Sequence, residues 1–372
     1  MMNEIALKKI TELRRALHKH PELSMHEKNT METLRRFISG NTSLEIIDRG
    51  DWFYAYKQGA DASAPSAAFR TDTDALPMRE APGLPYASVN EGAAHKCGHD
   101  GHCAAMCAVA LMLDAASVKR DVYLIFQHAE ETGQGGAVCS NLIREKNIGE
   151  VYAFHNLSGY PEGHILLRRG LTQPSSEGLT LKLTGRPSHA SAPECGINPA
   201  MAISRVALYS QALMNEAHEG AFMCTVVGIS AGRGDFGVSP GYGELKITLR
   251  AELEHELKAG EEALIQYARE EAEREGLIFE SVVSDYFPET KNDPSCADRV
   301  ARAAKKLGLP VTVMEKMWLA SEDFGYYLKE CPGAIFYIGN GEDYPPLHTE
   351  EYDFNDNLIP LAADIFFELA NM

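Results

Sequence analysis

Five consecutive apolar side chains, Val122–Phe126, stand a few residues ahead of two adjacent acids, Glu130 and Glu131. A strand with no polar position must be covered on both faces. Helices flanking an α/β sheet provide that cover, and a sheet with one wet face does not. The two acids then fall in the loop at the strand's C-terminal end, the edge where open α/β sheets gather their active sites. The same grammar recurs along the chain. Ala67-Ala68-Phe69 ends a strand with Arg70-Thr-Asp72-Thr-Asp74 at its exit, Val151–Phe154 runs into His155, and Ile335–Ile338 leads into His348. Residues 103–117 read as an apolar, Ala-rich helix that starts straight after the cluster His-Lys-Cys-Gly-His-Asp-Gly-His at 95–102.

At 372 residues the chain is long for a single hydrophobic core, so two domains are expected. The middle segment differs in character from its flanks. Leu179–Leu183 alternates apolar and polar, and Asn198-Pro199 opens a helix to about Asn215. Phe222–Ile229 and Glu244–Ala251 read as strands joined by a Gly-rich loop. Glu254–Glu275 is a long charged helix, and Leu277–Val283 is a last strand. The order β-α-β-β-α-β is that of a ferredoxin-like module. The predicted architecture is therefore α/β and two-domain: residues 1–173 and 287–372 form the catalytic, metal-binding domain, and 174–286 form an inserted lid. The sequence contains no internal repeat and no low-complexity tract.

A formal net charge of −18 argues against nucleic acid or an anionic membrane as partner. The N-terminal stretch is a charged amphipathic helix, not a secretory signal, and no run reaches the roughly 18 apolar residues of a membrane span. Eight cysteines lie scattered without framework spacing, as reduced thiols do in a large cytosolic protein, so a cytoplasmic location is expected.

Cys97 and His99 sit one residue apart, with His102 as a further candidate. Thiolate, imidazole and carboxylate donors at strand ends suit a zinc-like ion. Cys97, His99, Glu131, His155 and His348 form the candidate shell. Zinc is the first expectation, with manganese, cobalt or nickel as alternatives. Adjacent residues leaving a strand point in different directions, so Glu131 is assigned as ligand and Glu130 as general base. Asp74 and Asp100 are candidates to orient ligating imidazoles.

The segments HPELS (20–24), RTDTDALP (70–77), KCGHDGH (96–102), AEETGQGGA (129–137), AFHN (153–156), GRPSHASAP (185–193), SEDFGYY (321–327) and PLHTEEYDFND (346–356) occur in this order. In them the chain resembles, over nearly its whole length, the metal-dependent amidohydrolases that include hippurate hydrolases, auxin-conjugate hydrolases, aminoacylases and glutamate carboxypeptidases. The resemblance implies two divalent metal ions and a lid domain that mediates homodimerisation. It implies the same five ligands and Glu130 as acid/base. It also implies that His189 reaches the partner subunit's active site and that Arg250 grips a substrate carboxylate. The sequence departs from the family pattern at Gly237, His128 and Glu194, which bears on substrate identity more than on reaction type.

The expected activity is cleavage of the amide bond in an N-acyl amino acid or similar small conjugate, with a dipeptidase or carboxypeptidase as the alternative. Two other classes remain to be weighed: a thiol hydrolase with Cys97 as nucleophile, and a non-catalytic metal-binding dimer.

Overall fold

Strands Ala67–Asp72, Val122–Gln127, Glu150–Leu157 and Gly333–Gly339 have no exposed position, so both faces of the sheet they build are covered. The computed structural model describes Asn3–Met372. These strands are central in an eight-stranded sheet. Its order is Glu45–Asp48, Phe53–Lys57, Val122–Gln127, Ala67–Asp72, Glu150–Leu157, Gly333–Gly339, Ile165–Leu167, Val311–Val313. The four central strands run parallel to one another. Phe53–Lys57 and Ile165–Leu167 pair antiparallel on either side of them. Parallel neighbours place their C-terminal ends at one edge, and the loops carrying Asp74, Glu130 with Glu131, and His348 follow strands that end there.

The sheet belongs to a first compact unit made of residues up to Thr172, Thr290–Met317 and Glu322–Met372. Helix His99–Ala115 packs against helices Glu4–Lys19 and Leu358–Ala370. The N-terminal helix follows from its sequence. The Asn3 side chain accepts from the Ala6 N–H at 2.8 Å as N-cap, and Ile10, Leu13 and Leu17 supply a buried stripe. Arg14, on that buried side, is fully covered, and Asp100, Asp353 and Asp356 surround it at 3.3, 2.7 and 2.8 Å. A guanidinium enclosed in this way is tolerable only because each carboxylate offsets its desolvation.

The second unit comprises Gln173–Glu289 with Trp318–Ser321. Its antiparallel sheet has the order Phe222–Ala231, Tyr242–Ala251, Ser175–Thr184, Ile278–Phe287. With helices Ala200–Leu213 and Glu254–Glu275 between the strands, the β-α-β-β-α-β order expected from the sequence is present. Leu179, Leu181, Leu183, Leu245, Ile247 and Leu249 point to one core with Val206, Leu257 and Leu264 from the helices. The intervening strand positions stay partly exposed, which is the period-two pattern of a half-buried sheet. Burying each such leucine contributes about 1.5–3 kcal/mol. Trp318–Ser321 joins this unit through side-chain bonds. Arg250 Nη1 donates to Leu319 O and Ser321 Oγ, both at 3.0 Å, and the Ser176 and Ser321 hydroxyls lie 2.7 Å apart.

Candidate metal centre

Strand exits supply part of the candidate site. Asp72 ends one strand and Asp74 follows it; Glu130 and Glu131 form the turn after Val122–Gln127. Two placements differ from the sequence expectation. His155 lies inside strand Glu150–Leu157, not at its exit, and His99 is the first residue of helix His99–Ala115, not a loop residue. The helix begins early because Gly98 adopts a left-handed conformation, φ +102°, that lets the chain turn abruptly from Cys97 into His99. A Cβ at Gly98 would stand 2.4 Å from the Asn156 Oδ1 and 2.8 Å from the Tyr352 hydroxyl, so only glycine is accommodated. His348 is also left-handed, φ +61°, and its N–H donates to Lys96 O at 2.8 Å. That bond ties it to the segment carrying Cys97.

The five candidate ligands converge. Cys97, His99 and His155 offer donor atoms within 4.8 Å of one another, as do Cys97, Glu131 and His348, and His99, Glu130 and Glu131. Cys97 Sγ is 3.4 Å from His155 Nε2, and Glu131 Oε1 is 3.8 Å from both His99 Nε2 and His348 Nε2. His99 Nδ1 lies 3.0 Å from Asp74 O and 3.3 Å from its carboxylate, and His155 Nδ1 lies 2.8 Å from Asn156 O. Each ring is thus anchored through Nδ1 and turns Nε2 inward, the arrangement that fixes an imidazole's tautomer for coordination. His99 Nε2 and Glu131 Oε1 are buried without a hydrogen-bond partner. Orphaned polar atoms in a protein interior are costly, and here they face the same space as a thiol and two further imidazoles. The residues present fit a divalent cation.

Electrostatics lead to the same place. Burial, then Glu322, Glu131 and Asp323, push the Glu130 carboxyl well above its usual range. Burial and Asp74 push Glu131 up to about 7 against the pull of His99. The Cys97 thiol is raised by burial and by both glutamates. His99 moves the other way: burial opposes its charge, but Asp72, Asp74 and Glu131 hold it up to about 10. This interior carries more acids than its resident cations balance, a deficit that a metal ion would relieve.

Further side chains, His102 among them as the remaining ligand candidate of the sequence, complete the surroundings. His102 is occupied on both ring nitrogens, at 2.6 Å from Asp72 Oδ1 and 2.6 Å from Asn156 Oδ1. Arg70 is buried against Asp72, Glu322 and Asp323 at 2.7, 3.1 and 2.5 Å. The acid-rich segments RTDTD and SEDF carried a signal for this cluster, but nothing in their spacing said that they meet. Asp74 does bond the His99 ring, and it also accepts the Glu131 N–H at 2.9 Å. Asp100 corrects its assignment: it turns to His18 and Arg14, at 2.8 and 3.3 Å, and orients no candidate ligand. His128 is packed beside Cys139, 3.8 Å from its sulfur.

His189 and Arg250 lie in the second unit. His189 is exposed in a short pairing with Val238, and its Nδ1 accepts from the Ser191 N–H at 3.1 Å. Nearby, Gly237 O accepts the Ala190 N–H at 3.0 Å, and Glu194 is exposed in a 3-10 turn, Pro193–Cys195. The half-buried Arg250 guanidinium bonds Leu319 O and Ser321 Oγ and has no acidic partner among the described residues, and partial burial lowers its pKa.

An α/β sheet with buried thiol, imidazole and carboxylate donors gathered at its carboxyl edge is the framework of a metallohydrolase. The model of peptidase family M20/M25/M40 matches residues 68–372. The chain belongs to that family. It is 29% identical to an N-acetylcysteine deacetylase of Bacillus subtilis, covering 97% of this chain and 96% of the relative. It is also 29% identical to the hippurate hydrolase of Campylobacter jejuni, covering 96% and 94%. A Bacillus subtilis protein solved as a dinuclear metal binding peptidase of the M20 family superimposes with a TM-score of 0.81 at 26% identity, covering 99% of this chain and 98% of that one. Among the described residues no helix is long and apolar enough to cross a membrane.

Proposed function

We propose that this protein hydrolyses the amide bond of an N-acyl amino acid or similar small conjugate. In this reading Cys97, His99, Glu131, His155 and His348 hold two divalent metal ions, zinc by first preference, and Glu130 is the general base. The observation that carries it is the convergence of those five side chains around the unpartnered His99 Nε2 and Glu131 Oε1. Bound there, divalent ions supply Lewis acidity, which acidifies water and polarises a carbonyl. The chain's own groups do the rest. Glu130 accepts the proton of the attacking water and returns it to the leaving amine nitrogen. Asp74 and the Asn156 carbonyl keep the His99 and His155 rings in place.

The relatives' names, a deacetylase of an N-acetyl amino acid and a hippurate hydrolase, favour acyl conjugates over peptides. Arg250, half-buried and without an acidic partner among the described residues, takes the substrate carboxylate. The eight free cysteines support a reducing, cytoplasmic setting. Purified protein loaded with zinc or manganese is expected to cleave N-acetyl or N-benzoyl amino acids faster than dipeptides. Preference for dipeptides would transfer the reading to a peptidase, and inertness towards every amide would refute it.

The motif GRPSHASAP supports a homodimer through the second unit, with His189 donating to the oxyanion in the partner's site. A well-placed donor of this kind contributes about 3–4 kcal/mol. Mixing inactive His189→Ala with inactive Glu130→Ala subunits should then restore partial activity through heterodimers. No recovery, with subunit exchange confirmed, would assign each site to one chain.

A further inference from the structure

The segment around HPELS is one of the motifs quoted above to which the proposed chemistry gives no task, and it leads to the buried acid Glu27. Glu27 stands at the N-cap of helix Lys28–Asn41, but its carboxylate makes no capping bond to that helix. Instead Oε1 accepts the backbone N–H of Ala129 at 2.6 Å, from 102 residues away in sequence. Both residues are buried. Ala129 immediately precedes Glu130 and adopts φ +49°, a left-handed conformation that an alanine disfavours because its Cβ crowds the following carbonyl.

The turn is held at several points. Ala129 O accepts the N–H groups of Gln134 and Gly135 at 3.2 and 3.1 Å, and Glu130 O accepts that of Gly133 at 2.8 Å. A Cβ on Gly135 would fall 1.7 Å from His128 O, so this closeness requires glycine. The N-terminal segment grips the turn a second time. Ser24 Oγ donates at 2.7 Å to Asp74 Oδ2, the oxygen that receives the Glu131 N–H. Glu22 O accepts the Ala75 N–H at 2.8 Å and Leu23 bridges Ala75, fixing the segment beside Asp74.

We propose that Glu27 is a positioning residue: by bonding the Ala129 amide it holds the strained turn that aims Glu130 at the substrate side while Glu131 faces the metal centre. Burial and Asp74 push the Glu27 carboxyl up to about 7, yet a carboxylate and a carboxylic acid both keep a lone pair for the Ala129 N–H, so the device works in either form. The inference deepens the proposed function and rests on its assignment of Glu130.

The test uses the metal-loaded, full-length protein. Glu27→Ala should lower kcat by about 10²-fold, the loss that a displacement of about 1 Å can cause. KM and metal content should stay near wild type, and hydrogen exchange at the Ala129 amide should accelerate. Glu27→Gln, whose amide oxygen can accept the same bond, should keep most of kcat. In an Ala129→Gly background, where glycine takes the positive φ without strain, Glu27→Ala should cost distinctly less. If Glu27→Ala does not fold, Glu27→Met fills the same volume without the oxygen and takes its place. An unchanged kcat, equal losses in Gln and Ala variants, or no relief from Ala129→Gly would overturn the proposal. Should wild type cleave none of the amides, the reading of Glu130 fails; the exchange rate at Ala129 still reports on the clamp by itself.

Discussion

Glu130→Gln is expected to lower kcat by about 10²–10⁴-fold, the usual contribution of a positioned acid/base. It should leave the fold and the bound metal in place. Glu130 is buried, and its Oε2 stands 3.8 Å from His99 Nε2 among Glu131, Glu322 and Asp323. A carboxyl surrounded by acids holds a proton readily once given one, as a shuttle between water and amine must. Glutamine matches the side chain in size and removes one repelling charge, so folding should not suffer and stability can rise slightly. Because the interaction develops on the way to the transition state, kcat and kcat/KM should fall together. Steady-state kinetics with metal analysis of the same preparation decide the matter. Retained turnover would reject the assignment, and lost metal would show that Glu130 is a ligand.

Removing the metal should have an effect at least as large. Dialysis against a chelator is expected to abolish hydrolysis, and adding zinc or manganese back should restore it. His99→Ala and Cys97→Ala should each lower metal content, since each takes a donor from a cluster spanning less than 5 Å. The metal-free protein should also unfold at lower temperature, because buried acids then repel one another uncompensated. Ligand at a hundred times its Kd contributes about 2.7 kcal/mol of stability. The same experiment separates the thiol-hydrolase alternative, for which chelation would be harmless. Cys97 does lie 3.4 Å from His155, as a thiol–imidazole pair would require. Yet burial and two neighbouring glutamates raise its pKa, and burial lowers that of His155, the reverse of what activates a nucleophilic cysteine. The non-catalytic alternative fares no better, since a purely structural site has no use for a second acid at position 130.

Local residues announced much of this site. An unbroken apolar strand ahead of paired acids forecast a sheet covered on both faces, and every position of Val122–Gln127 is buried. Alternation at 179–183 forecast a half-buried sheet, and its odd positions do face the second core. His99 escaped correct placement because the helix start depends on Gly98 adopting positive φ, which a glycine permits and does not announce. Asp100 orients no imidazole ligand although it directly follows His99. One residue of helix turns its side chain by about 100°, and it meets the N-terminal helix instead. Glu27 and Ala129 carried no visible signal, since neither composition nor period marks a hydrogen bond across 102 residues.

What the sequence determined by itself was the set of candidate donors and the alternation of elements carrying them, because side-chain chemistry and hydrophobic period are local properties. Only the tertiary structure decided that His99 and His155 are anchored through Nδ1, that His102 is spent on Asp72 and Asn156, and that an acid from the N-terminal segment bonds the amide just before Glu130. Those outcomes depend on distances between chain-remote atoms, and packing sets such distances after the local elements have formed.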